Sequence, residues 1–142
     1  MKRLLACLPL LAACAADRPV LEVRDAYGYQ PVLGDVAAVY FTVENRGRAA
    51  DTLQGADVAG AQVAMIHEQV TEGDRAEMRH LDMVPVPGGT VLVLRPGGLH
   101  LMVEGFERAP VAGDTLLVTV RFASGDTLLV RAPVLAYGDE PR

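Results

Sequence analysis

The chain has 142 residues, a length that suits one domain with a proper core and is too short for two. Apolar residues make up 51% of it, so it is a globular rather than a disordered protein. With 13 basic and 18 acidic residues, its net charge of −5 argues against nucleic acid or anionic lipid as a partner.

The beginning of the chain predicts an export signal. Lys2-Arg3 forms a basic start, and a short apolar run follows over residues 4–11. Leu11-Ala12-Ala13-Cys14 resembles a bacterial lipobox, in which the cysteine becomes the lipidated first residue of the mature chain. Ordinary signal-peptide cleavage near the same position is the alternative. A membrane-spanning helix would need about 20 apolar residues, and Asp17-Arg18-Pro19 interrupts the run too early.

Export determines what the two cysteines can do. Cleavage would remove Cys7 and lipidation would modify Cys14, so the mature domain could form no internal disulfide. Loss of Lys2 and Arg3 would leave 11 basic and 18 acidic residues, a net charge of −7. We expect a periplasmic or otherwise extracytoplasmic protein with a signal peptide at 1–13, a linker at 14–19, one domain at 20–136 and a tail at 137–142.

The rest of the chain has the pattern of short strands separated by turns. Apolar side chains alternate from Val36 to Val43, and Glu44-Asn45-Arg46-Gly47 supplies turn residues after them. Near the C-terminus, a loop at Ser124-Gly125-Asp126 would place Phe122 opposite Leu128 in a hairpin. Further strands are predicted near residues 20–25, 51–58, 61–70, 75–83, 90–95 and 98–104. Because no segment has a sustained helical period, we predict an all-β fold, an antiparallel β-sandwich.

The residues that point to a function lie in one part of this pattern. All three histidines, and every methionine except Met1, fall between positions 65 and 102. They are His67, His80, His100, Met65, Met78, Met83 and Met102. Thioethers and imidazoles without a thiolate form a soft, neutral ligand set that suits Cu(I) better than zinc, calcium or magnesium. The cluster therefore predicts a Cu(I) site.

The spacing of these residues places them in pairs, because side chains two apart on a strand share a face. If the turn at Glu72-Gly73 is symmetric, His67 faces Met78 and Met65 faces His80 across a hairpin. Directly opposed residues have Cβ atoms about 4.5–5.5 Å apart, so both could reach one ion. A slip of one residue would destroy this arrangement. The pairs with this spacing are Met65/His67, Met78/His80 and His100/Met102.

Some members of the cluster have a simpler explanation than metal binding. A methionine in a β-sandwich usually fills the core, and we assign Met83, beside Val84 and Pro85, to the core. Met65 could lie in the core or flank the site, and His80 could be a surface residue or a ligand. The strongest candidate ligands are His67, Met78, His100 and Met102.

These four residues match the H-x10-M-x21-H-x-M signature of the periplasmic copper chaperones called PCu(A)C. The resemblance extends over roughly residues 20 to 135 and includes Ala37-Ala38-Val39-Tyr40, Glu44-Asn45-Arg46-Gly47, His67-Glu68 and Pro96-Gly97-Gly98-Leu99-His100-Leu101-Met102. It implies a Greek-key, cupredoxin-like β-sandwich that holds Cu(I) near its surface. It also implies delivery of copper to the binuclear copper site of cytochrome c oxidase, or to another copper-assembly factor.

The chain departs from this family at one position. Many relatives have a methionine two residues after the first histidine, where this chain has Gln69. An accessory ligand is therefore missing, and Met65 or Met83 could replace it.

Other functions remain open from the sequence. A blue-copper carrier needs a cysteine thiolate with two histidines, which the mature chain could not supply. A zinc hydrolase is disfavoured because Thr71 occupies the second histidine position of the motif that His67-Glu68 would begin. A copper scavenging or tolerance protein, and a structural sandwich with an incidental cluster, are the alternatives. We do not expect catalysis, since four such ligands would leave no water to activate.

Overall fold

A computed structural model describes residues 17–32 and 34–141, and its regular structure consists of ten β-strands. The expected signal peptide at 1–13 and Cys14 lie outside the described residues. Within those residues, no helix is long and apolar enough to cross a membrane. The strands are β1 (Leu21–Tyr29), β2 (Ala37–Asn45), β3 (Asp51–Val58), β4 (Val63–Glu72), β5 (Arg75–Leu81), β6 (Val84–Val86), β7 (Val91–Val93), β8 (Leu99–Glu104), β9 (Thr115–Phe122) and β10 (Thr127–Leu135).

The strands form the predicted cupredoxin-like β-sandwich. Their order is β5-β4-β8-β2-β1-β10-β9-β3-β6, with β7 also paired to β2. Side chains from β2, β4 and β8 share one core with those from β3, β9 and β10, so the two halves of the sheet pack against each other. The pairs are antiparallel except β1 and β10, which run parallel. The sequence did not predict this parallel pair, because it joins strands from opposite ends of the domain.

Alternation along β2 separates the core from the outer surface. Val39, Phe41 and Val43 are buried in the core. Ala38 and Tyr40 occupy the opposite face, as expected for a period of two residues. The predicted alternation of this strand is confirmed.

The outer face of β1 and β2 carries a cluster of aromatic rings. Tyr40 lies with its ring centroid 5.1 Å from Tyr27 and 6.1 Å from Tyr29, and Tyr137 lies 5.8 Å from Tyr29. Burial raises the pKa of Tyr40 to about 12, and the neighbouring tyrosines contribute to the shift. These are all four tyrosines of the chain.

The register of the β4–β5 hairpin differs from the prediction by two residues. His67 faces His80 instead of Met78, and Met78 faces Gln69. The turn is Gly73-Asp74, with Gly73 at φ +61 in the first central position, as in a type II′ turn. The predicted turn was centred one residue too early, which moves each opposed residue by two and leaves every side chain on its predicted face.

The C-terminal hairpin has the same kind of error. Val120, not Phe122, faces Leu128. The Phe122 amide donates a hydrogen bond to the Asp126 carbonyl at 3.0 Å, so the three-residue loop spans residues 123–125 and lies one residue earlier than predicted.

The side chain of Asn45 joins three segments at the end of β2. This residue is fully buried, and its Oδ1 accepts hydrogen bonds from the amides of Val20 (3.1 Å) and Gly47 (3.0 Å). Its Nδ2 donates to the carbonyls of Ala49 (2.9 Å) and Val86 (3.1 Å). Both donors and both lone pairs of the amide are thus used. The turn predicted after Val43 therefore has a structural role.

Replacement of Asn45 tests this role. Asn45→Ala removes four hydrogen bonds, each worth about 1 kcal/mol net, and one of them is to the carbonyl of the buried Val86. We expect the free energy of unfolding, measured with urea, to fall by about 3 kcal/mol. Thr127→Ala, at an exposed position in β10, is the control and should change it by less than about 0.5 kcal/mol. A loss below about 1 kcal/mol for Asn45→Ala would contradict the assignment.

Candidate metal site

Three imidazoles form a row across β5, β4 and β8. His67 of β4 lies directly opposite His80 of β5 and His100 of β8. The ring centroids are 5.5 Å apart for the first pair and 6.0 Å apart for the second, with the rings nearly perpendicular. Ile66 and Leu101, the neighbours in sequence, point into the core. The imidazoles therefore lie on the outer face of the sheet.

The methionines lie on both sides of this row. Met65 and Met102 are directly opposed across β4 and β8, and both are half-buried. Met78 lies opposite Gln69 on the edge strand β5, and it is 58% exposed. Met78 and Met102 are thus diagonal neighbours of His67 in opposite directions along the strand. Diagonal neighbours are about 7–8 Å apart, within reach of long side chains.

The four predicted ligands therefore differ in position and exposure. His67, His100 and Met102 lie together in adjacent strands, whereas Met78 lies at the exposed edge. His80 is closer to the centre of the cluster than its sequence position predicted. The one sequence feature that could have placed His80 opposite His67 is the turn, because a turn at Gly73-Asp74 sets that register.

Met83 does not belong to the core, and that prediction is wrong. It is 60% exposed in the connection between β5 and β6. Val84 and Val86 fill the core instead, because alternation in β6 points both of them inward.

Hydrogen bonds determine which nitrogens of two histidines can bind a metal. His100 Nδ1 lies 3.0 Å from the carbonyl oxygen of Gly98, which can only accept, so Nδ1 carries the hydrogen and Nε2 has the lone pair. His80 Nε2 lies 3.2 Å from the carboxylate of Asp82, so its Nδ1 has the lone pair. Metal-binding histidines usually donate their other N–H to groups of this kind.

His67 has an unusual environment. Its Nδ1 is buried and has no hydrogen-bond partner among the described residues. Burial lowers the pKa of His67 below its ordinary value of 6.5, and positive charge on His100 and His80 lowers it further. The side chain is consequently neutral near pH 7, which is the form that binds metals. A neutral imidazole with an unsatisfied buried nitrogen fits a metal ligand.

No group of three or more His, Cys, Asp or Glu side chains is arranged to hold a metal in the part of the chain that the structure describes. A metal at this position would therefore need methionine sulfur, or a rotation of the exposed His80 side chain.

The family model described as "Putative lipoprotein LpqE-like" matches residues 21–134. The chain belongs to the LpqE-like family, which is the PCu(A)C family. A protein of Leifsonia xyli subsp. xyli, named "Putative lipoprotein Lxx21020", is 33% identical over 100 residues. That match covers 70% of this chain and 60% of the relative, so the chain spans less than two thirds of the relative's length.

Solved structures of PCuAC domains have the same fold. The copper-bound PCuAC domain from PmoF2 has a TM-score of 0.68 at 20% identity, covering 82% of this chain and 92% of that domain. The solution structure of CuI-DR1885 from Deinococcus radiodurans has a TM-score of 0.67 at 27% identity, covering 89% and 85%. The β-sandwich of this LpqE-like protein is therefore a PCu(A)C fold.

The lowered pKa of His67 can be measured by NMR titration of the imidazole resonances in the metal-free protein. We expect a midpoint below 6.5, and a rise towards 6.5 in His80→Ala, which removes one of the charges. Because the folded pKa lies below that of the unfolded chain, the stability contributed by neutral His67 is complete above pH 6.5. It is lost as the pH falls through the folded pKa. A midpoint at or above that of the urea-unfolded chain would contradict the described environment.

Proposed function

We propose that this protein is an extracytoplasmic copper chaperone, which binds Cu(I) and passes it to an acceptor. The observation that carries the proposal is the opposed pair His67 and His100, with Met102 beside them on the outer face of the sheet. Imidazole and thioether together form a soft, neutral set that selects Cu(I). Two structures of the same fold, which are described as copper-bound or CuI forms, support the choice of metal.

We propose His67, Met78, His100 and Met102 as the ligands. His100 would bind through Nε2, since its Nδ1 donates to the Gly98 carbonyl. Met102 on β8 and Met78 on β5 are both diagonal neighbours of His67, and in the proposed site the exposed Met78 side chain would fold back over the imidazole. Met65, opposite Met102, offers a further thioether next to the proposed set.

The arrangement suits a carrier better than an enzyme. Two imidazoles and two thioethers complete the coordination of Cu(I) and leave no position for water, so we propose no catalytic activity. All four ligands are neutral, so the bound site has the +1 charge of Cu(I) alone. Met78 is exposed on an edge strand, so it can leave the metal first and let a ligand of the acceptor enter.

Substitution of single ligands tests this proposal by competition with a Cu(I) chelator. His67→Ala and His100→Ala should weaken Cu(I) binding by about 10-fold or more, since changes around metal ligands already cost about 10–100-fold. Met78→Leu keeps the side-chain volume and should weaken binding similarly without unfolding the protein. Met83→Leu is the matched control, because Met83 is 60% exposed and Met78 58%. It should bind as the parent does.

Two results would contradict the proposal. Equal losses of Cu(I) affinity in Met78→Leu and Met83→Leu would mean that Met78 is no ligand. A preference of the parent protein for zinc over Cu(I) would exclude the proposed metal. Met102→Leu should resemble Met78→Leu, and His80→Ala should keep nearly the parental Cu(I) affinity.

We further propose that the protein is lipid-anchored at Cys14 and supplies the copper site of cytochrome c oxidase. The lipoprotein description of the family supports the anchor. A strain lacking the protein should lose oxidase activity at low copper, and the parent gene or added copper should restore it. Cys14→Ser should abolish lipid labelling and release the protein from the membrane fraction. Unchanged oxidase activity with greater copper sensitivity would favour copper tolerance instead, and an unlipidated parent would favour ordinary cleavage.

A further inference from the structure

The third imidazole of the row, His80, belongs to neither the core nor the proposed Cu(I) ligand set. Its side chain is 49% exposed on the edge strand β5, directly opposite His67. We propose that His80, His67 and His100 together bind Cu(II), so that one site accepts both oxidation states of copper through two overlapping ligand sets. This inference rests on the proposed function, because the two sets share His67 and His100.

The sheet geometry permits three imidazoles to approach one ion. Adjacent strands lie about 4.8 Å apart, so the backbones at His80 and His100 are about 10 Å apart, with His67 between them. The ring centroids of His80 and His100 are already 5.5 Å and 6.0 Å from that of His67. Since His80 is half-exposed on an edge strand, its ring can turn towards His67 without disturbing the core.

The hydrogen bonds leave the required nitrogens available. His80 donates from Nε2 to Asp82, which leaves the Nδ1 lone pair for a metal. His100 donates from Nδ1 to the Gly98 carbonyl, which leaves its Nε2 lone pair. A carboxylate that accepts from a ligating histidine is a common feature of metal sites, because it fixes the ring and makes the nitrogen more basic.

The two ligand sets differ in the chemistry that separates the oxidation states. Thioether sulfur selects Cu(I), whereas Cu(II) prefers nitrogen and oxygen donors in a tetragonal arrangement. When His80 replaces Met78 and Met102 as a copper ligand, one nitrogen takes the place of two sulfurs. One coordination position on the outer face is then open to water. Since His80 and Met78 lie two residues apart on the same face of β5, the edge strand carries a donor for each oxidation state.

The test measures Cu(II) and Cu(I) binding separately in the purified protein and its variants. In His80→Ala, Cu(II) affinity should fall by about 10-fold or more, and the nitrogen hyperfine pattern in electron paramagnetic resonance should lose one coupled imidazole. The Cu(I) affinity of this variant should change by less than about 2-fold. Met78→Leu should show the opposite pattern, with weakened Cu(I) binding and parental Cu(II) binding. Arg79→Ala, an exposed change on the other face of β5, is the control and should alter neither.

The outcomes separate this inference from the proposed function. A parent that binds Cu(I) while His80→Ala keeps parental Cu(II) affinity and spectrum would overturn the inference alone. The same holds if the parent binds Cu(I) but no Cu(II). Failure of the parent to bind Cu(I) would overturn the proposed function. Circular dichroism checks that His80→Ala is folded, as expected for a change at an exposed edge.

Discussion

The register of β4 between β5 and β8 is the constraint on which the site depends. It places His67 between two imidazoles, and the core enforces it. Ile66 is buried against the side of β8 that carries Leu101, and burying such a side chain contributes about 1.5–3 kcal/mol. A slip of one residue would expose Ile66 and push His67 into the core. The packing of apolar residues on the inner face of the sheet therefore fixes the positions of the histidines on its outer face.

The opposite end of β2 is fixed by a different interaction. Asn45 lies seven residues along the strand from Ala38, which pairs with Met102, so about 23 Å of strand separates Asn45 from the position of Met102. A Cβ at Gly47 would collide with the backbone at Arg18, and this agrees with the close approach that the Asn45 hydrogen bonds maintain. Of the motifs that resemble PCu(A)C proteins, Glu44-Asn45-Arg46-Gly47 thus holds strand ends together, and Pro96–Met102 carries two of the candidate ligands.

The sequence predicted which face each side chain occupies better than it predicted which residues meet. Alternation is a property of the strand itself, so the shared face of Met65 and His67, and that of His100 and Met102, followed directly from spacing. The partner of His67 depends on where the turn lies. The glycine that adopts positive φ, Gly73, is the first of the two central turn residues, whereas the symmetric prediction made it the second. The parallel pairing of β1 and β10 and the exposure of Met83 depend on the tertiary arrangement, which local patterns do not contain.

The tyrosine cluster is the main source of the intrinsic fluorescence of the protein. The chain has no tryptophan, and its four tyrosines meet on the outer face of β1 and β2. The near-ultraviolet fluorescence of the folded domain therefore comes almost entirely from one place. That place lies beside the strand that carries His100, since Tyr40 is two residues from the partner of Met102. Cu(II) bound at the proposed site has an unpaired electron and would quench the fluorescence of these nearby rings. Cu(I) is a closed-shell ion and would quench it less. The arrangement of the rings would thus let the native protein report, without a label, the oxidation state of copper bound at the proposed site.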